Sequence, residues 1–334
     1  MSHVLVTGAS GFIGPSLVAA LRAAGHNVSC LVRPASAVNR LTPHGVRLVQ
    51  GDVLAAESLT SAVAQVDCVY HLAGRTHAWS RQQFDEANRH GTANLAEACA
   101  RRENPPTLVV VSSLAAAGPA SAVQPKREQD PDDPVSHYGH SKLAGEQAAR
   151  KFSGEMPVSI VRPPVVFGPG DRDGLVMFRS IRRLGLHVVP RGHELPLSLV
   201  SSPDLATALL LVGERGERLQ TTGDKGLGIY NVADPQVVSY ADLGRLAAAA
   251  IERRVKIFPV RKWAFAVGAS WGEVTGRMRR KPALVSFDKL REVSAVGWVC
   301  STEKIQTHLG FAPAMSLAER YRETVAWYRA EGWL

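Results

Sequence analysis

What is scarce in these 334 residues narrows the field first. The four cysteines, Cys30, Cys68, Cys99 and Cys300, stand far apart and form no CxxC pair. That excludes a disulfide framework and a cysteine-based zinc site, and it points to reduced thiols in a cytoplasmic protein with no metal. No apolar run reaches the ~18 residues of a membrane span. The first residues lack the basic start, apolar stretch and small-residue cleavage site of a secretory leader, so none is expected. Low-complexity sequence is almost absent, and 29 glycines with 20 prolines exclude neither a packed core nor regular elements. Acidic residues are outnumbered, 30 against 39 basic ones, yet the shortage is local. Residues 251–291 hold eleven Lys/Arg against three acids, so they carry eight of the nine net positive charges. No nucleic-acid-binding motif accompanies that run, and nucleic acid is not an expected partner.

What is present is a rhythm. Short apolar runs at residues 4–6, 28–32, 46–49, 68–72, 108–111 and 158–161 read as strands. Residues 14–24, 58–64, 84–102 and 138–151 read as helices between them. Strands alternating with helices imply parallel pairing, and near-continuous apolar strands imply a sheet covered on both faces. The expected fold is α/β, a doubly wound parallel sheet of Rossmann type. Residues 1–170 are expected to form this dinucleotide-binding domain. Residues 171–334 are expected to form a smaller substrate lobe without further regular alternation, with a segment near 228–232 returning to the main sheet.

Thr7-Gly8-Ala9-Ser10-Gly11-Phe12-Ile13-Gly14 separates the first strand from the first helix. Gly8 permits the tight turn, Gly11 lets backbone approach a pyrophosphate, and Gly14 lets helix pack near strand. The helix N-terminus then offers free N–H groups to phosphate. Further along, Tyr138 and Lys142 lie at i and i+4, on one face of a helix. A phenol with a pKa near ~10 is a poor proton carrier at neutral pH unless a cation stabilises its anion, and the spacing supplies one. Ser113 ends the fifth strand at the edge of the sheet where ligands bind.

The GxxGxxG spacing of TGASGFIG, with YGHSK at 138–142 and Ser113 five residues before Gly118, resembles the extended short-chain dehydrogenase/reductase superfamily. That is the NAD(P)-dependent epimerase/dehydratase group. The C-terminal motifs Gly297-Trp298, Leu309-Gly310-Phe311 and Trp327-Tyr328 are similar to its dihydroflavonol-reductase-like and 3β-hydroxysteroid-dehydrogenase-like members. The resemblance implies a homodimeric enzyme in which Ser113, Tyr138 and Lys142 are catalytic, Tyr138 and Lys142 also touching the cofactor. It implies cofactor contacts from Gly8, Ser10, Gly11, Phe12, Ile13 and Gly14 in the loop. It adds Asp52 and Val53 after the third strand, and Leu72, Ala73 and Gly74 after the fourth. Asn88, Ser112, Pro163 and Val165 complete the set. His71 reads as a core histidine. Val32 stands where an NAD-binding member carries its acid and Arg33 follows, so NADP is preferred over NAD.

Leu114 and Ala115 follow Ser113, where family dehydratases place acids, which argues against dehydration. The first reading is an oxidoreductase acting on the hydroxyl or ketone of a small, sterol- or lipid-like substrate. A nucleotide-sugar epimerase and a non-catalytic dinucleotide-binding scaffold stay open. The 251–291 segment, with Trp263 and Phe265 between basic clusters, reads either as a peripheral contact for an anionic membrane surface or as a solvated basic face.

Overall fold

The computed structural model describes residues 1–190, 194–222, 224–261 and 287–334. In chain order the main elements of the first half are β1 (His3–Thr7), α1 (Gly14–Ala23), β2 (Asn27–Val32), β3 (Arg47–Gln50), α2 (Glu57–Val63) and β4 (Cys68–His71). Next come α3 (Arg81–Asp85), α4 (Gly91–Ala100), β5 (Thr107–Val111), α5 (Leu114–Ala117), α6 (His137–Arg150) and β6 (Val158–Arg162). The second half adds β7 (Val165–Phe167), α7 (Arg172–Leu184), β8 (Leu186–Pro190), β9 (Pro196–Leu197), β10 (Leu199–Ser201) and α8 (Ser202–Arg215). It continues with β11 (Ile229–Asn231), β12 (Val238–Ser239), α9 (Tyr240–Ala250) and β13 (Lys256–Val260). Three helices close the chain: α10 (Phe287–Val293), α11 (Glu303–Leu309) and α12 (Leu317–Ala330).

Seven parallel strands form the central sheet in the order β11-β6-β5-β4-β1-β2-β3. Period-two alternation sorts their side chains to two cores. Val4, Val6, Val109 and Val111 join α1 and α8 on one face, while Leu5, Leu108 and Val110 join α2 and α4 on the other. Both faces are therefore apolar, as a sheet sandwiched between helices requires. A third core belongs to the smaller lobe, where Phe167, Phe178, Tyr321 and Tyr328 pack edge and face between α7, α9 and α12.

Three expectations are corrected. The helix read over 84–102 is α3 and α4 joined through a π-helical turn at Glu86–His90, because one extra residue is accommodated around buried Asn88. Regular elements do alternate after residue 171, but as short strands paired in twos: β7 with β10, β8 with β13, β9 with β12. They are too brief for periodicity to register. A single cut at residue 170 also does not separate the cores. Leu205, Leu209 and Val212 of α8 pack on α1, and Ile305, Leu309 and Phe311 complete the first core, so later chain re-enters the sheet domain. Among the described residues no helix is long and apolar enough to cross a membrane. Most of the basic segment, including Trp263, Phe265, Arg277, Arg279, Arg280 and Lys281, lies outside the described residues.

Candidate active site

The strand order reverses between β1 and β4, and in open parallel sheets the carboxyl edge at such a switch point is where ligands bind. Gly8 turns the chain with φ +70°, and a Cβ on it would stand 2.5 Å from the Ala73 nitrogen. A Cβ on Gly14 would stand 2.1 Å from the Ala9 carbonyl oxygen. Only glycine lets α1 start this close to the loop. Gly11 donates to the Gly8 carbonyl at 2.9 Å, and Ser10, Phe12 and Ile13 are partly exposed around it. Helices α6, α7, α8, α9 and α12 are each capped by a side chain: Ser136, Asp171, Ser201, Ser239 and Ser316. Helix α1 has no side-chain cap. Its first-turn N–H groups and dipole are left for an anion, so the loop fits a dinucleotide pyrophosphate.

The neighbouring strand ends are braced by backbone. Val32 closes β2 and Arg33 is exposed just beyond it, with its N–H donated to Ser36 Oγ at 3.0 Å. Asp52 accepts the Leu54 N–H at 3.0 Å, and Val53 is buried beneath Gly91. Leu72 and Ala73 donate their N–H groups to Thr7, and Gly74 abuts the Asn88 amide. Asn88 is a clip. Its Oδ1 accepts the Arg75 N–H at 2.8 Å, while its Nδ2 donates to the Arg75 carbonyl at 3.0 Å and to Ser141 Oγ at 2.8 Å. It thus ties the loop after β4 to α6. His71 is buried with both ring nitrogens bonded, to Thr7 at 2.7 Å and Thr92 at 2.9 Å. Burial pushes it down to about 3, so it is a neutral core histidine.

Helix α6 and the end of β5 bring Ser113, Tyr138 and Lys142 together. Ser113 caps α5, accepting the Ala115 N–H at 3.1 Å, and α5 packs against the first turn of α6 that carries Tyr138. Burial raises the Tyr138 phenol above its ordinary value, while the charge of Lys289 and the neighbouring Ser113 hydroxyl pull it back. Lys142 donates to the Val111 carbonyl at 2.7 Å, and burial pushes its ammonium down to about 8 against the pull of Glu146. Ser112 has a different task. Its hydroxyl donates to Glu146, which holds Arg162 through bonds of 2.9 and 2.5 Å, and Asp132 faces the same guanidinium at 2.9 Å. This buried network anchors the floor under α6. Pro163 accepts the Leu114 N–H at 2.8 Å, and exposed Val165 opens β7 at the rim.

Sequence reasoning missed the contribution of α10. Asp288 accepts the N–H groups of His137 at 2.7 Å and Tyr138 at 3.2 Å, and Glu292 accepts from Ser136 Oγ at 2.8 Å. Lys289 Nζ stands 5.6 Å from the Tyr138 ring centroid. At the same mouth His77 Nε2 meets Asp173 at 3.5 Å, joining the loop after β4 to α7. These residues have no local spacing relation to Tyr138, and only for Asp288 and Lys289 did the charge count draw attention to their segment.

A parallel sheet with its switch point beside an uncapped, glycine-bound helix defines an enzyme that works with a nicotinamide dinucleotide. Residues 4–233 match the NAD dependent epimerase/dehydratase family, and the chain belongs to it. A ceramide reductase of Caulobacter vibrioides is 27% identical over 99% of this chain and 96% of its own length. A 2-alkyl-3-oxoalkanoate reductase of Stenotrophomonas maltophilia is also 27% identical, over 97% of this chain and 98% of that one. The solved UDP-glucose 4-epimerase of Thermus thermophilus, in complex with NAD, shares the fold with a TM-score of 0.76 at 24% identity, over 98% of this chain and 99% of that one.

Proposed function

We propose that the protein is an oxidoreductase that interconverts a hydroxyl and a ketone on an apolar, lipid-like substrate, with NADP preferred over NAD. The observation that carries this reading is the placement of Ser113, at the end of β5, beside the first turn of α6 that carries Tyr138, at the carboxyl edge of the sheet and one helical turn from Lys142. The nicotinamide, when bound, supplies or accepts the hydride. Ser113 holds the substrate oxygen, and Tyr138 gives it a proton during reduction or takes one during oxidation. Lys142 offers its ammonium to the ribose and to the phenolate. Leu114 and Ala115 beside Ser113 are buried and carry no proton, which argues against a dehydration step.

Support for an apolar substrate comes from Trp79 and Val176, exposed apolar side chains two and three residues after the paired His77 and Asp173 in sequence. Two relatives are named for reducing a ceramide and a 2-alkyl-3-oxoalkanoate. Support for NADP is the valine at the end of β2 followed by exposed Arg33. Support for a reducing, cytoplasmic setting is that all four cysteines are free and buried, their thiols pushed up to about 12.

The test follows nicotinamide absorbance while the protein meets a panel of long-chain 3-ketones, ketosteroids and nucleotide sugars. Turnover of an apolar ketone, lost by several orders of magnitude in Tyr138→Phe with nucleotide affinity retained, is expected. Near-normal turnover in Tyr138→Phe sinks the mechanism. Interconversion of a nucleotide sugar with no net absorbance change makes the protein an epimerase instead.

A further inference from the structure

The cation most firmly placed against the Tyr138 ring comes from the far end of the chain. Helix α10 docks on the first turn of α6 through three hydrogen bonds: the Asp288 carboxylate receives the His137 and Tyr138 N–H groups, and Glu292 receives the Ser136 hydroxyl. The indole of Trp298 in turn donates to the Glu292 carbonyl at 2.9 Å, bracing the end of α10. An acid at a helix N-terminus is held by the exposed N–H groups and the dipole together, so this docking is directional. Lys289 lies between the two acids in sequence. Its ammonium bonds Glu292 at 2.8 Å and faces the Tyr138 ring at 5.6 Å. Lys142, by contrast, directs its ammonium to the Val111 carbonyl on the sheet side of α6.

We propose that Lys289 is a positioning residue for Tyr138: a second cation, set over the phenol by α10, that stabilises the anion left when Tyr138 gives up its proton. This rests on Tyr138 being the proton carrier. The other charged or titratable groups facing this corner are Asp288, Arg291 and Glu292 from α10, His137 and Lys142 from α6, His77 from the loop after β4 and Asp173 from α7. Of these, Glu292 opposes Lys289, but its carboxylate is also engaged by Ser136 and paired with the ammonium itself at 2.8 Å. The electrostatics agree, since the Lys289 charge lowers the Tyr138 phenol and Tyr138 in turn raises Lys289. The arrangement also makes the site depend on α10 being docked. A cation carried by a separate helix reaches Tyr138 only when that helix sits on α6.

The experiment needs neither substrate nor cofactor. The full chain is made with 3,5-difluorotyrosine at position 138, whose fluorines bring the phenol titration into the range where the protein is folded. Its single fluorine NMR signal is followed against pH. Lys289→Gln is expected to raise the midpoint by about one unit, the lower end for loss of an opposite charge at this range. Lys289→Arg is expected to stay near the unsubstituted protein. An unmoved midpoint in Lys289→Gln overturns the proposal. Equal shifts in the Gln and Arg variants overturn it too, because they report displacement of α10 rather than loss of charge. Failure of the reading of Tyr138 itself shows separately, as undiminished turnover in Tyr138→Phe.

Discussion

Replacing Arg33 with alanine tests how the site chooses its nucleotide. Val32 is the buried last residue of β2, paired in register with Gln50, so the chain direction at this point is set by the sheet. Arg33 leaves the sheet into solvent, and its N–H is fixed by Ser36 at 3.0 Å. A valine at the strand end cannot accept a ribose hydroxyl, whereas a guanidinium just beyond it pairs with a 2′-phosphate. A hydrogen bond to a charged group contributes about 1.5–3 kcal/mol net. Arg33 is exposed, so solvent screening keeps its share near the lower limit, about 1.5–2 kcal/mol. That corresponds to a loss of NADPH affinity of roughly tenfold to thirtyfold, at 1.4 kcal/mol per factor of ten. NADH affinity is expected to stay unchanged. Truncation leaves no buried group without a partner, so stability is expected to hold within about 0.5 kcal/mol. Fluorescence titration with both reduced nucleotides, at low and at physiological salt, measures the ratio. The proposed preference for NADPH is expected to shrink as salt rises. Equal weakening of both nucleotides in Arg33→Ala, or an unmoved ratio, refutes the assignment.

Two further perturbations probe the floor of the site. Arg162→Met strands the Glu146 carboxylate, 3% exposed, without its cation. Breaking a buried pair costs about 3–5 kcal/mol. A urea midpoint at neutral pH should fall accordingly and recover in Arg162→Met/Glu146→Gln; an unchanged midpoint in the single variant contradicts the network. Lys142, whose native ammonium is pushed down to about 8, loses its proton on the folded protein before the unfolded chain does. The unfolded state then binds more protons, so this group makes stability rise with pH from about 8 toward the ordinary lysine value of ~10.4. Denaturation midpoints of the unsubstituted protein minus those of Lys142→Met should climb across that window, and a flat difference would show that Lys142 is not held in this way.

Much of this protein is local in origin and was legible in the order of its residues. The turn from Gly8 to Gly14 needs glycines at particular steps, so the phosphate loop shows in seven consecutive residues. Tyr138 and Lys142 share a face because helical geometry puts i and i+4 together. The apolar strands declare a covered parallel sheet because each must bury both faces. The limits lie where tertiary packing decides. Asn88 sits in a π-helical turn because one side chain must reach Arg75 and Ser141 at once, a demand set by α6 and not by its neighbours. Helices α8 and α11 belong to the first core because its β1, β5 face needs covering, and no chain-order boundary records that. Asp204, 4% exposed, clasps Arg320 of α12 at 2.6 Å, joining two stretches that share no pattern. Most tellingly, Asp288 and Lys289 looked like part of a basic run, and it is the docking of α10 on the N-terminus of α6 that puts them, with Glu292, against Tyr138. Spacing specifies contacts within one turn or one strand. Charges brought from the far end of the chain meet their partners only after the cores have set where each helix ends.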